Sequence, residues 1–425
     1  MSTARLVGRR DGAGEQKQGP GLTGFTDLPV LRQQPDVVLA QLRDVAADRD
    51  QTTVRNGIPL NDRAVARWSA MAIDALGRAL GLPAEFCRPG GGFSVVTGAS
   101  GEFVRLALAA ALTRARPVHH VPTRETVYVT RHTDLTTRSA VLAAGLGPAA
   151  LRVVDASPAT GRMSPKNLRE TMLLDTARGL RPLMVVATVG DVSGAADDVK
   201  TIAGVCADLD VWLHVDATHA GMYALLPQRR ALLAGAGRAS SVCVDPQVAV
   251  DLPTECAIGW TRDPAALWEP ALINAFGARH HYLGLDTPER ALDVALALYC
   301  AGVVSLRGRL RRQADAAQDL VALARHDHQW TLAAPPGVGS VCVRARTGHS
   351  ADHDDIVTTR VIARLRQAGA PAVRGAFIGD RPVLQIRPDR AHGMTSQQIW
   401  TEVTSALAAA VATRDEPAAE SVGHA

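Results

Sequence analysis

Apolar positions recur along this chain with two alternating periods. Val65, Trp68, Ala72 and Leu76 fall at helical spacing, which predicts a helix over 64–80, capped by Asn61 or Asp62 and stopped by Gly81 and Pro83. A Gly-rich loop ending at Gly92 leads into a short apolar strand, 93–96. The small-residue turn Thr97-Gly98-Ala99-Ser100-Gly101 then opens an Ala/Leu-rich helix through Thr113. From there the pattern alternates. Strands are expected at 126–130, 151–154, 183–188, 211–215, 242–244 and 256–260, with helices at 135–144, 165–178 and 198–207 between them. Ser164 followed by Pro165 reads as an N-cap with proline at the first helical position. Such alternation predicts an α/β domain with a mostly parallel sheet.

Beyond Thr287 the texture changes. A long helix over 290–324 is followed by a strand at 340–343, a helix at 356–367, a strand at 383–387 and a last helix over 396–412, the pattern of a small α+β domain. The expected organisation is a tail (1–24), a helical N-terminal segment (25–88), a large α/β domain (89–287), a small C-terminal domain (288–412) and a second tail (413–425).

Composition narrows the function classes. With 47 % apolar and 21 % charged residues the chain has the balance of a globular protein, and no run reaches the ~20 apolar residues of a membrane span. The first 24 residues lack the apolar core of a secretory signal. Net charge is only +4, and the densest basic cluster, Arg307, Arg309, Arg311 and Arg312, has no interleaved aromatics for stacking bases, so neither nucleic acid nor membrane is an expected partner. Six cysteines lie scattered without a Cys-x-x-Cys pair, most of them in apolar runs, as in a reducing cytoplasm. Lysine is rare: only Lys17, Lys166 and Lys200 stand beside 43 arginines.

Three features of the large domain converge on one chemistry. The Thr97 turn, between a strand and a helix, offers free backbone N–H groups and a positive helix end to an anion, although most such turns are only turns. Asp216 ends the apolar strand of Trp212-Leu-His-Val-Asp, at the edge where parallel sheets place ligands. A carboxylate there can pair with a protonated pyridine nitrogen, or simply cap the next helix. His214, Asp216 and His219 could also be read as metal ligands, but a turn separates His219 from the face the other two share, and no metal is expected. Thr188 ends the neighbouring strand, within reach of the same ligand or merely closing the strand.

The segments Trp68–Phe86, Gly90–Ser100, Val186–Gly190 and His214–Gly221, in that order and spacing, resemble the group II pyridoxal-phosphate amino-acid decarboxylases. The resemblance runs from Gly90 to Trp268. It implies the aspartate-aminotransferase (fold type I) architecture, an obligate homodimer and a small-molecule substrate. It also implies phosphate held near Gly98, Ala99 and Ser100, Asp216 on the pyridine nitrogen and Thr188 nearby. Where that family carries Asn-Pro-His-Lys, this chain reads Asp245-Pro246-Gln247-Val248, so valine replaces the Schiff-base lysine and Gln247 the phosphate-side histidine. Asp134 falls where the family stacks a histidine on the ring, and equally suits a helix cap. The family's His-Pro-x-Phe segment ahead of the first long helix is absent.

No covalently held cofactor is therefore expected, and pyridoxal phosphate only as a non-covalent ligand. Three readings follow. The cleft is reused for lyase, cyclase or condensation chemistry with Asp134, Asp216 and His219 as acid/base groups; the chain is a silent subunit of a heterodimer with an active homologue; or it is a weak decarboxylase without a lysine.

Overall fold

The computed structural model describes residues 27–45, 54–55, 58–59, 63–115, 124–131, 133, 135–157, 161–190, 194–252, 254–264, 288–391 and 393–412. The two predicted tails and Asp134 lie outside the described residues.

Helices α1 (Pro35–Val45) and α2 (Arg63–Leu80) precede the sheet. Trp68, Ala72 and Leu76 of α2 are buried, as their spacing predicts. The large domain then runs β1 (Phe93–Thr97), α3 (Ser100–Ala115), β2 (Arg124–Thr130), α4 (Leu135–Ala143), β3 (Leu151–Val154), α5 (Pro165–Ala177), β4 (Leu180–Thr188), α6 (Val199–Asp208), β5 (Trp212–Asp216), β6 (Ser241–Val244) and β7 (Ala257–Thr261). Its seven strands lie in the order β1-β7-β6-β5-β4-β2-β3. Every pairing from β6 to β3 is parallel, while β7 runs antiparallel to both β1 and β6. The central strands β4, β5 and β6 are buried on both faces at their C-terminal ends, as near-continuous apolar runs require. Ser164 caps α5, its hydroxyl accepting the Asn167 N–H at 3.3 Å.

The long helix α7 (Pro288–His326) links two cores. Its first part, through Leu310, packs among the large-domain residues, and Ala317 to Ala324 belong to the small-domain core. By length and composition α7 would suffice to cross a bilayer, but many of its apolar side chains pack into these cores. It breaks at Gly302 (φ 67°, ψ 159°), a backbone conformation open to glycine. The N–H groups freed there are taken by an N-terminal arm: Val303 donates to Pro29 O at 2.8 Å and Val304 to Val30 O at 3.0 Å. Gln33 donates back to Cys300 O, and the Tyr299 hydroxyl to Asp27 O.

The small domain adds β8 (Trp330–Leu332), β9 (Val341–Ala345), α8 (Ala351–Gln367), β10 (Val373–Ile378), β11 (Arg381–Ile386) and α9 (Ser396–Ala412). Its four strands form an antiparallel sheet ordered β8-β9-β11-β10, covered by α8, with α9 packed against α8 and α7. The architecture is the expected one, a mostly parallel α/β domain with an α+β companion. Five of the six cysteines are buried and all are free.

Candidate functional site

Parallel pairing lines up three strand tips. Thr188 of β4 sits beside Asp216 of β5, which sits beside Cys243 of β6. All three are buried, so their polar atoms need partners.

The Asp216 carboxylate divides its oxygens. Oδ1 accepts the Thr218 N–H at 3.2 Å, the Thr218 hydroxyl at 2.7 Å and the Cys243 thiol at 3.8 Å. No described residue donates to Oδ2. Asp216 thus makes the local turn contacts of a cap and still keeps an acceptor. Thr188 is more exposed to the same need. Its N–H is held by Asp197 Oδ2 at 2.8 Å, yet its buried hydroxyl has no hydrogen-bond partner among the described residues. An unpaired buried hydroxyl costs about 1–3 kcal/mol. A ligand at the strand tips that offers a ring N–H to Oδ2 and a polar atom to Thr188 would satisfy both.

Thr97, Gly98 and Ala99 turn from β1 into α3, with Ser100 as its first residue. Ala99 is exposed, and Gly98 and Ser100 are half-buried, so the helix end is reachable. The Gly98 N–H points at the Glu102 carboxylate, 2.6 Å away. An anion docking here would have to move Glu102 aside. A glutamate four residues after Gly98 is the spacing that could have indicated this contact in the sequence.

Val248 occupies a short turn after β6 and is 1 % exposed. Beside it a cavity of about 20 Å³, room for a single water, lies between the domains. His219, Tyr223 and Val248 line one side, and Gly339, Ser340 and Arg387 the other. The domains meet closely here, for a Cβ on Gly339 would fall 1.9 Å from the Tyr223 hydroxyl oxygen. His219 is half-buried at this cavity, separate from the polar contacts of Asp216 described above.

Gln247 is directed elsewhere. Its amide donates to Thr254 O at 3.1 Å and accepts from Arg390 at 3.3 Å. It joins an ion network across the domains in which Arg390 pairs with Asp245 (3.3 Å) and Asp389 (3.4 Å), and Arg387 grips Asp389 through two nitrogens (3.2 and 2.8 Å). Burial pushes the Asp245 carboxyl up to about 6, against the opposing pull of the Gln247 N–H and Arg390.

Beneath Asp216, His214 is fully buried, and burial holds its imidazole down to about 3, neutral at ordinary pH. Its Nδ1 lies 2.9 Å from the Ser241 hydroxyl and its Nε2 3.6 Å from the Cys243 sulfur. His214 therefore faces its strand neighbours, and no metal-ligand cluster exists among the described residues. The lysines that could reach a carbonyl ligand are remote in character: Lys166 and Lys200 are exposed at the starts of α5 and α6.

Residues 64–346 match the family model described as the pyridoxal-dependent decarboxylase conserved domain. A tyrosine decarboxylase of Oryza sativa subsp. japonica is 31 % identical over 303 residues, 65 % of this chain and 56 % of that protein. A phenylacetaldehyde synthase of a Rosa hybrid cultivar is 26 % identical over 342 residues, 74 % of this chain and 67 % of that protein. The chain thus spans little more than half the length of the rice tyrosine decarboxylase. Among solved structures, Oryza sativa TDC with PLP and tryptamine superposes with a TM-score of 0.72 at 24 % identity, over 91 % of this chain and 83 % of that one. Rhodiola rosea 4-hydroxyphenylacetaldehyde synthase gives 0.72 at 19 % identity, over 93 % and 86 %. At these identities the superpositions establish the fold.

Proposed function

This chain belongs to the pyridoxal-dependent decarboxylase family, and from that premise we propose that it is a lyase-type biosynthetic enzyme working in the family's cleft without a covalently held cofactor. One observation carries the reading. The strand tips keep an Asp216 oxygen and a buried Thr188 hydroxyl that no described residue engages, and we read the buried Val248 as standing in the place of the family's lysine. A cleft under no demand to bind would lose such polar atoms, because each costs stability.

The residues fit pyridoxal phosphate held by contacts alone. Asp216 Oδ2 would accept a ring N–H, Thr188 would meet the ring's polar edge, and the α3 end at Gly98, Ala99 and Ser100 would receive the phosphate once Glu102 yields. When bound, that group supplies an electron sink. Without a lysine amine, the chain's own proton-handling groups are Asp216, His219 and Asp134. A small-molecule substrate, a homodimer and a cytoplasmic setting complete the proposal.

The test is an absorbance titration of the purified protein with pyridoxal phosphate, followed by turnover assays. Saturable spectral change, with Asp216→Asn folded but inactive, is the expected result. Inactivity of the wild type toward all amine and amino-acid substrates, alone and with the cofactor, would overturn it.

The cavity of only about 20 Å³ beside Val248 supports a second reading, a silent subunit paired with an active homologue. In that case Asp216→Asn leaves the activity of the paired complex intact.

A further inference from the structure

We propose that Cys243 is a positioning residue for Asp216, its thiol closing a buried chain of donors that engages Oδ1 and leaves Oδ2 facing the cleft. The inference rests on the cleft being a ligand site, and it assigns a further task to a thiol that also packs with Val95 and Phe103 in the core.

The chain starts at Trp212. An indole N–H only donates, and it donates to the Ser241 hydroxyl at 3.0 Å. The Ser241 proton is then left for His214 Nδ1, 2.9 Å away. A neutral imidazole accepting at Nδ1 carries its proton on Nε2, which faces the Cys243 sulfur at 3.6 Å. The thiol proton in turn has Asp216 Oδ1 before it, at 3.8 Å. Each link fixes the polarity of the next, so every donor in the series runs toward the carboxylate.

Register explains why these residues meet. On parallel strands His214 pairs with Ser241 and Asp216 with Cys243, and side chains two apart share a face. None of the five side chains is more than 2 % exposed, and Phe103 lies over the imidazole with ring centroids 5.8 Å apart, so water does not compete. Burial and the adjacent carboxylate both raise the Cys243 thiol, keeping it a donor rather than an anion. With Thr218 giving two further hydrogen bonds to Oδ1, three donors converge on one oxygen, and the carboxylate plane is set.

The test reads the thiol directly. In infrared difference spectra of the ligand-free protein, the S–H stretch lost in Cys243→Ala should lie below that of the other buried thiols. It should move up in Asp216→Asn. Pyridoxal phosphate affinity, measured separately by absorbance, should fall about fivefold in Cys243→Ala. Cys243→Ser, which keeps a donor, should restore it. An S–H band that ignores Asp216→Asn overturns the assignment, as does equal affinity of wild type and Cys243→Ala. If the wild type binds no pyridoxal phosphate while the band still moves, the thiol link stands and it is the cofactor reading that fails.

Discussion

Replacing Thr188 with valine separates the needs of the ligand from those of the fold. The substitution is nearly isosteric and removes only the hydroxyl, which is buried and has no partner among the described residues. Its backbone N–H keeps the Asp197 bond at 2.8 Å, and β4 keeps its pairing with β5. Relief of an unpaired buried hydroxyl amounts to about 1–3 kcal/mol, of which partial solvation and the reference chain leave roughly 1 kcal/mol as net gain. For a protein of this length that gain corresponds to a rise of only about 1 °C in melting temperature, so urea denaturation of the ligand-free protein is the sharper assay. The same variant should bind pyridoxal phosphate about tenfold more weakly, through loss of one hydrogen bond in a dry site. Higher stability with weaker binding is the signature of a hydroxyl retained for a ligand. A loss of 1 kcal/mol or more, by the order of magnitude used above, would refute the reasoning, since it means the hydroxyl is already bonded in the folded protein. Higher stability with unchanged affinity would place the ligand elsewhere.

Wild-type protein treated with pyridoxal phosphate and borohydride should yield no phosphopyridoxyl-lysine in peptide maps, at Lys166 or Lys200 in particular, whereas Val248→Lys should acquire one at position 248. Asp175, fully buried, holds Arg152 through both oxygens (2.5 and 2.9 Å) and accepts from the Tyr128 hydroxyl at 3.0 Å. Asp175→Ala should therefore cost about 3 kcal/mol in urea unfolding. For pH dependence, the unfolded His214 gains a proton near its ordinary value of 6.5, but the folded one only near 3, so stability falls as pH drops through that window. At about pH 5 the loss is about 2 kcal/mol. Asp245 has the opposite sign: its folded carboxyl, raised to about 6, contributes stability that is present below its ordinary value of 3.8 and lost as pH rises through about 6. Asp245→Asn should steepen the acid loss between these limits and His214→Gln should flatten it, both read from urea midpoints across pH.

Much of the fold was legible because buried central strands and amphipathic helices announce themselves by period. Asp216 and Thr188 were found on that basis, as polar residues closing apolar strands. The direction of β7 was not, since local pattern carries no sense of parallel or antiparallel. Strands β8 and β10 escaped for a different reason: the first has three residues, and the second carries Arg374, Gly375 and an exposed Phe377 at the edge of its sheet. Helix α1 had no distinctive signal beyond its own short amphipathic stretch. Within the site, proline fixed the position of Gln247, but nothing local foretold its side chain turning to Thr254 and Arg390 across the domain boundary. Cys243 looked like an ordinary core thiol. Its relation to Asp216 exists only through strand register, which pairs residues 27 apart.

The break in α7 at Gly302 has a kinetic side. Each half of that helix is local and can form early, but the N–H groups of Val303 and Val304 find Pro29 and Val30 only after closure of a loop of some 270 residues, the span that also separates Asp27 from Tyr299. The half before the break lies in the large-domain core, and the half after it leaves that core at Leu306 and Leu310 to enter the small-domain core from Ala317, so the angle between them bears on how the small domain sits against the strand tips. Docking of the arm adds its hydrogen bonds at the break itself. Residues 27–33 leave the ribosome ahead of everything they fasten, and they wait for a helix made some 270 residues later.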